Sequence, residues 1–418
     1  MQHLKTFPFM SLLFFSLSLS NCRRRGGDVE QPSTDGRVAI QTSDQGNEDV
    51  VRNSSGFEDK ENEASESSSD SGDGQGNEDS FEASTDSSSS SGDINQDSLS
   101  EEINEEEGST VGEGDAKVDL IDIKFDGKSL YRASDAKMDK AILDADDGSL
   151  AETALKYIYS VPIAVWVDGT NVSPEAEVAR VTKIADDQGR RLVMVIHSVP
   201  KRNCTINSDE VANGQAYEAW IESFIKGVED REAIIILEPN ALGKADNCAN
   251  IDAAYSLQEM LDHVGMAVDK LTAVPTLDVY LDMGFWVVPA RAVELIDAVD
   301  PSKKLSGMII NDSDYRSNAE MMSFCENTNT AFNGTRTLPC IIDTGRNGQP
   351  PAVNMEWCNA PGRGLGILPG DVSSGLLKGY LWVRNPAESD GECEREEPAA
   401  REIFTERAIE LYEKRYQE

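Results

Sequence analysis

The sequence has few basic side chains. Its 418 residues include 38 Lys and Arg against 76 Asp and Glu, which gives a formal net charge of −38. A chain without a basic stripe cannot displace the counterions of a nucleic acid, so we expect no nucleic-acid partner. The same charge disfavours electrostatic binding to anionic membranes or acidic polymers. These absences favour a neutral ligand.

Side chains that commonly bind metals are also scarce. Beyond the N-terminal region the chain has two histidines, His197 and His263, and no cysteine pair has the CxxC spacing typical of zinc sites. We therefore expect no metal and no cofactor. Six of the seven cysteines lie in the C-terminal two thirds of the chain, at Cys204, Cys248, Cys325, Cys340, Cys358 and Cys393. An even number in an exported domain favours three disulfides, with metal ligation as the alternative.

No apolar run reaches the roughly 18 residues that a transmembrane helix requires. The run from Phe7 to Leu19 is instead typical of the core of a signal peptide. Cys22 follows directly, as at a bacterial lipoprotein cleavage site. We therefore expect residues 1–22 to be a signal peptide and Cys22 to carry a lipid, which would be the only contact with a membrane. Ordinary secretion or an unprocessed tail is the alternative; anchored or secreted, the protein would be exported, at the cell surface or facing a periplasm.

Residues 23–116 lack the apolar side chains that a folded core needs. They hold 26 acids, 6 bases and 19 serines, and their only aromatic residues are Phe57 and Phe81. Such a segment cannot bury enough apolar surface to offset the entropy lost on ordering, so we predict a disordered acidic linker. It would act as a spacer or simply as a solvated tail. Residues 117–418 are long enough for one large α/β domain.

Seven short apolar runs in this domain predict buried strands, at 163–166, 192–196, 233–237, 277–281, 307–310, 339–342 and 379–383. Helical patterns lie between most of them, so repeated βα units predict a parallel sheet, open or closed into a barrel. Polar residues follow nearly every run, among them Asp168, His197, Asn203, Glu238, Asn240, Asp282, Asn311, Asp314, Asp343, Arg346, Arg384, Glu388 and Asp390. Because the carboxyl ends of parallel strands share one edge, we expect these side chains to converge.

Two tryptophans restrict the expected class of ligand. Trp166 ends the first run, and Trp357 lies in the glycine-rich segment after the sixth. Indole rings stack well on the apolar faces of sugars, although packing in the core is the alternative for each.

Six blocks then carry a family resemblance: VIHSVPKRNC (195–204), ILEPNAL (236–242), YLDMG (280–284), DTGRNG (343–348), WCN (357–359), and LWVR with ESDG (381–391). In this order they resemble the motifs of glycoside hydrolase family 6, the inverting cellulases and cellobiohydrolases. The resemblance covers about residue 128 to the C-terminus. It implies a distorted, partly open seven-stranded parallel β/α barrel. It also implies β-1,4-glucan, or a related neutral polysaccharide, as the partner.

The resemblance also assigns roles. An inverting glycosidase needs a general acid and a base, with carboxyls roughly 6.5–9.5 Å apart. The acid falls on Asn240, the aspartate that raises the acid's pKa falls on Asn203, and the candidate base is Asp390. The expected substrate-binding residues are Trp166, Asp168, His197, Asp282, Asn311, Trp357, Arg384 and Glu388, and the expected structural ones are Arg202, Glu238 and Arg346. The implied disulfides are Cys204–Cys248 and Cys358–Cys393, which leaves Cys325–Cys340.

The two asparagines bear on activity, because an amide has no proton to give. Loss of general acid catalysis costs about 10²–10⁴ in rate. The sequence therefore favours a glucan-recognising domain whose endo-type hydrolysis is weak or lost. The alternatives are a non-catalytic surface glucan-binding protein, an active glucanase that uses another proton donor such as His197, and a domain without a ligand. Short loops around Trp357 and residues 391–393 predict an open cleft, and we expect a monomer.

Overall fold

The computed structural model describes residues 116–417, apart from 171–172, 206–209, 253, 353 and 355. The described residues belong to one compact unit. The predicted signal peptide, Cys22 and all but the last residue of the predicted linker lie outside the described residues. Those assignments, and the domain boundaries that follow from them, stay predictions.

Strands and helices alternate along the middle of the described chain. In chain order they are β1 (Lys124–Phe125), β2 (Lys128–Ser129), α1 (Ala136–Asp144), α2 (Leu150–Tyr159), β3 (Val165–Asp168), α3 (Glu175–Asp187), β4 (Leu192–His197), α4 (Gly214–Val228), β5 (Ala233–Leu237), α5 (Ala241–Ile251), α6 (Leu257–Leu271), β6 (Leu277–Asp282), α7 (Pro289–Val299), β7 (Gly307–Ile310), α8 (Asn318–Ala331), β8 (Cys340–Asp343), β9 (Gly370–Ser374), β10 (Leu377–Leu381) and α9 (Thr405–Glu413).

Eight of these strands form one curled sheet in the order β3-β4-β5-β6-β7-β8-β10-β9. All neighbours are parallel except β10 and β9, which are antiparallel. The seven parallel strands lie at the seven predicted runs, so the predicted partly open β/α barrel is confirmed. The antiparallel strand β9 was not predicted, because its sequence GDVSS has a single apolar residue, Val372.

The sheet does not close, because β3 and β9 are its two edges. Two hydrogen bonds to backbone carbonyls cross the gap between β3 and the chain that follows β10, in addition to the ion pair of Arg401 with Asp168. The backbone N–H of Ala164 donates to the carbonyl of Trp382 at 3.2 Å, and the Trp166 indole Nε1 donates to the carbonyl of Val383 at 2.9 Å. We call this line the seam.

Apolar side chains on both faces of the strands hold the sheet in place. Val195, Ile236 and Ile309 pack together inside the barrel. The alternate residues of the strands pack outward against the helices, where Trp220 of α4 is 1% exposed. This explains why the strands read as continuous apolar runs rather than alternating ones.

Three disulfides join the loops and helices, at Cys204–Cys248, Cys325–Cys340 and Cys358–Cys393. All three expected pairs are therefore confirmed. Within the described residues, no helix combines the length and apolar character needed to span a membrane. In the same part of the chain, no group of three or more His, Cys, Asp or Glu side chains is arranged to hold a metal ion.

Candidate active site

A cleft of about 600 Å³ lies at the carboxyl ends of the strands. Ten of the residues to which the family resemblance assigns a role line it, namely Trp166, Asp168, His197, Arg202, Asn203, Asn240, Trp357, Arg384, Glu388 and Asp390. They come from both edges of the sheet and from its middle, and only the curling of the barrel brings them together.

The two tryptophans are half-buried in the cleft wall. The Trp166 ring meets the His197 ring edge-on, with 5.1 Å between ring centroids. Since its indole N–H is already bonded to Val383, Trp166 has only its apolar ring surface to offer a ligand. A half-buried ring in a polar cleft suits the apolar face of a sugar.

Asn203 and Asn240 both line the cleft and are half-buried. Asn240 has a left-handed backbone (φ 62°) in the turn that ends β5 and begins α5. Its backbone N–H donates to Oδ1 of Asp282 at 2.6 Å. The Oδ1 atom of Asn203 is buried and has no hydrogen-bond partner among the described residues. Neither amide can release a proton, so neither can act as a general acid.

Asp390 is bound tightly by hydrogen-bond donors. Nη1 of Arg346 lies 2.9 and 3.0 Å from its two oxygens, and Nη1 of Arg384 lies 2.8 Å from Oδ1. Tyr315 Oη and the Asn359 backbone N–H also donate to it, each at 2.8 Å. Burial raises the pKa of this carboxyl, but the two guanidinium groups outweigh burial and bring the pKa below its ordinary value. Asp390 is therefore ionised, and its lone pairs are largely engaged, which weakens it as a base.

His197 is surrounded by positive charge. Burial, followed by the charges of Arg202, Lys244, Arg401 and Arg384, lowers the pKa of His197 well below its ordinary value. The imidazole is therefore neutral at pH 7 and holds no acidic proton to give. This disfavours His197 as the substitute proton donor, although it lines the cleft.

Two further predicted sugar contacts are paired with arginines. Asp168 accepts from Arg401 at 2.9 Å, and Glu388 lies 3.4 Å from Nε of Arg384. These pairs fix the positions of charged groups along one wall.

Several predicted site residues lie beneath the cleft and do not line it. Asn311 is 2% exposed, and its amide donates to the Asp343 carbonyl at 2.8 Å and accepts from the Arg316 backbone N–H at 2.9 Å. Asp282 is 1% exposed and supports the Asn240 turn. Asn311 and Asp282 are therefore not among the residues that line the cleft, and their expected contact with substrate stays a prediction.

The residues expected to be structural are buried in the polar layer around the cleft. Glu238 accepts from the backbone N–H groups of Ser198 and Val199, both at 3.0 Å, and from Tyr217 Oη at 2.9 Å. Arg202 is 2% exposed and lies 3.8 Å from Glu210. Arg346 holds Asp390 and lies over the ring of Tyr315.

A cluster of four carboxyls lies at the ends of β6, β7 and β8 and is called the acid cluster here. It consists of Asp282, Asp312, Asp314 and Asp343. Burial is the main cause that raises their pKa values, to about 8 for Asp282, about 7 for Asp314 and about 6 for Asp343. Burial and repulsion from the neighbouring acids also raise the pKa of Asp312 well above its ordinary value. At neutral pH this cluster holds protons that isolated aspartates would have lost.

Two members of the acid cluster, Asp312 and Asp314, line the cleft. Sequence reasoning placed Asp314 after a strand without giving it a role, and it missed Asp312. The available signal was the two acids alternating in NDSD, directly after the buried strand β7.

Comparison with known proteins agrees with this geometry. The family model described as glycosyl hydrolases family 6 matches residues 125–408. Endoglucanase A of Cellulomonas fimi is 31% identical over 289 residues, which cover 67% of this chain and 58% of that protein. Endoglucanase A of Thermobispora bispora is 32% identical over 239 residues, 56% of this chain and 52% of that protein. The chain thus spans between half and three fifths of these two relatives.

A solved structure is similar over the whole fold. The endoglucanase Cel6 of Mycobacterium tuberculosis, determined in complex with methyl-cellobiosyl-4-deoxy-4-thio-β-D-cellobioside, superposes with a TM-score of 0.62 at 31% identity. The match covers 69% of this chain and 98% of that one. The motif blocks, the curled parallel sheet and these similarities lead to one conclusion: the chain belongs to glycoside hydrolase family 6.

Proposed function

We propose that the protein binds β-1,4-glucan in the cleft and hydrolyses it slowly, by endo-type cleavage. The observation that carries this proposal is the pair Asn203 and Asn240, which line the cleft where the family's motif has the acid and its helper. The shape and hydrogen-bonding capacity of the site are kept, while the acid function at that position is lost. The related proteins are endoglucanases, and the same substrate class is proposed here.

The charges around the cleft support slow turnover. The candidate base Asp390 is held by two arginines, and His197 is neutral. Slow hydrolysis with retained binding would follow from intact sugar contacts beside impaired proton transfer.

Binding is tested by isothermal titration calorimetry of the full chain with cellohexaose. Truncation of Trp357 to alanine should weaken binding about tenfold, because one aromatic stack contributes about 0.5–1.5 kcal/mol beyond area burial. Trp286→Ala is the matched control, because Trp286 lines a different pocket. Absence of cellohexaose binding by the unaltered protein would refute the proposal, as would equal effects of the two substitutions.

Export is the second part of the proposal. Three disulfides form in the described domain, and such bonds persist in oxidising compartments. Together with the predicted signal peptide and Cys22, they support an exported, lipid-anchored protein that presents the cleft to extracellular glucan.

A further inference from the structure

We propose that Asp314 is the general acid of this protein and donates the proton that Asn240 cannot supply. This inference rests on the proposed function, because it requires a glucan bound in the cleft. It assigns the slow hydrolysis to one carboxyl that lies outside the motifs of the family resemblance.

The acids that line the cleft divide into two groups. They are Asp135, Asp168, Asp312, Asp314, Glu388 and Asp390. Asp135 caps α1 by accepting from two backbone N–H groups. In three others, a carboxyl oxygen lies within 3.4 Å of an arginine nitrogen; these are Asp168, Glu388 and Asp390. These donors already engage the carboxyl oxygens that a sugar oxygen would have to reach. The pKa values of Asp168 and Asp390 are lowered, whereas burial raises that of Glu388. Glu388 is set aside because of its contact with Arg384.

Asp312 and Asp314 remain, and they differ in access. Asp312 is 1% exposed, its Oδ1 accepts from the Ser313 hydroxyl at 2.9 Å, and its buried Oδ2 has no hydrogen-bond partner among the described residues. Asp314 is half-buried. No hydrogen bond to its carboxyl is found among the described residues, and Arg346 and Lys244 act on it through their charges. Asp314 is therefore the acid that can reach a bound sugar, with Asp312 below it.

The charges facing Asp314 come from several elements. Burial is the largest influence and raises its pKa. Arg346 and Lys244 favour the carboxylate, whereas Asp390 and Asp343 disfavour it, and the result is a pKa of about 7. Asp282 and Asp312, the other members of the acid cluster, also repel it. A proton held near neutral pH is what a general acid needs, and the ionised Asp390 in the same cleft supplies the second carboxyl.

The step balances as an inverting hydrolysis. Asp314 transfers its carboxyl proton to the glycosidic oxygen while the bond from that oxygen to C1 breaks, and the electron pair of the bond stays on the oxygen. A water molecule forms the new bond to C1 from the opposite face and passes a proton to Asp390, directly or through a second water. Solvent then returns the proton from Asp390 to Asp314. No cofactor takes part.

The test compares Asp314→Asn with Asp230→Asn, which makes the same substitution at an exposed side chain after α4. Asp230 precedes the first residue of β5, whereas the cleft lies at the opposite ends of the strands. Full-length proteins are incubated with cellohexaose, and products and binding are measured separately. We expect Asp314→Asn to lower the slow rate about 10²–10⁴-fold with cellohexaose still bound, and Asp230→Asn to leave the rate unchanged.

Two outcomes overturn the inference: an unchanged rate in Asp314→Asn, which leaves the proposed function standing, or a wild-type protein that binds cellohexaose and never cleaves it, which also removes slow hydrolysis from the proposed function. Loss of wild-type binding would instead refute the proposed function. If Asp314→Asn does not fold, the pH profile of the wild-type rate decides the question. A rate that falls as pH rises through about 7 supports Asp314 as the donor, and a rate that keeps rising through that range overturns it.

Discussion

Returning an acid to position 240 should restore fast hydrolysis. The Asn240→Asp side chain would stand in the cleft wall, in a turn whose left-handed backbone aspartate tolerates about as well as asparagine. Its backbone N–H would still bond to Asp282 at 2.6 Å, so the turn should keep its shape. Burial and the nearby acid cluster would raise the pKa of the new carboxyl, and Lys244 would lower it.

The expected gain follows from the usual contribution of general acid catalysis, about 10²–10⁴ in rate. This corresponds to about 3–5 kcal/mol of transition-state stabilisation. Adding Asn203→Asp should raise the gain further, because a second negative charge helps the acid at position 240 to keep its proton. Initial rates on cellohexaose at pH 6 would measure both steps.

The matched control is Asn250→Asp, the same chemical change at an exposed position near the end of α5. It should leave the rate unchanged. Combining Asn240→Asp with Asp314→Asn adds a second check: if Asp314 is the wild-type donor, its loss should matter much less once position 240 carries an acid. A protein with Asn240→Asp that binds cellohexaose at wild-type strength and gains less than tenfold would refute the reasoning, because the remaining groups would then not form a working site.

Two further predictions concern stability. Asp390→Asn should lower the free energy of unfolding by about 3–5 kcal/mol, because it leaves two arginines without their buried carboxylate. Urea unfolding measures this loss. The control Asp187→Asn breaks the exposed ion pair with Lys183 and should cost less than about 1 kcal/mol. An equal loss in both variants would contradict the buried pairing. The pKa values of Asp282 and Glu238 are raised by burial to about 8 and about 7, so the native state holds protons that the unfolded chain releases above pH 4–5. Stability should therefore fall as pH rises from 5 to 8, by up to about 1.4 kcal/mol per pH unit for each extra proton, and a protein that is more stable to urea at pH 8 than at pH 5.5 would rule out this account.

The parallel strands could be predicted from the sequence because a strand that is buried on both faces has apolar residues at nearly every position. Strands such as β5, with the sequence AIIIL, are apolar at every position. An edge strand pairs on one side only and need not be apolar, so the sequence of β9 has no apolar pattern that would predict a strand. Its position depends on antiparallel pairing with β10.

The site was harder to predict because the position of a residue at a strand end does not determine whether its side chain is buried or faces the cleft. Asn311 and Asp282 come at strand ends, as a substrate-binding residue would, yet both are buried. Asp312 belongs to a polar run that looks exposed in the sequence, yet its side chain is buried in the structure. The raised pKa values of the acid cluster arise from contacts between distant parts of the chain, so no local pattern could reveal them.

The seam has a mechanical consequence. Backbone ladders join the other neighbouring strands of the barrel, whereas the seam is crossed in the described region by the Ala164 and Trp166 hydrogen bonds and by the ion pair of Arg401 with Asp168. At about 1 kcal/mol net each, such bonds resist separation far less than a ladder does. The barrel should therefore open and close most easily along the seam. Because Trp166 lies on the seam, the contact between its ring and a bound glucan would change with the width of the opening.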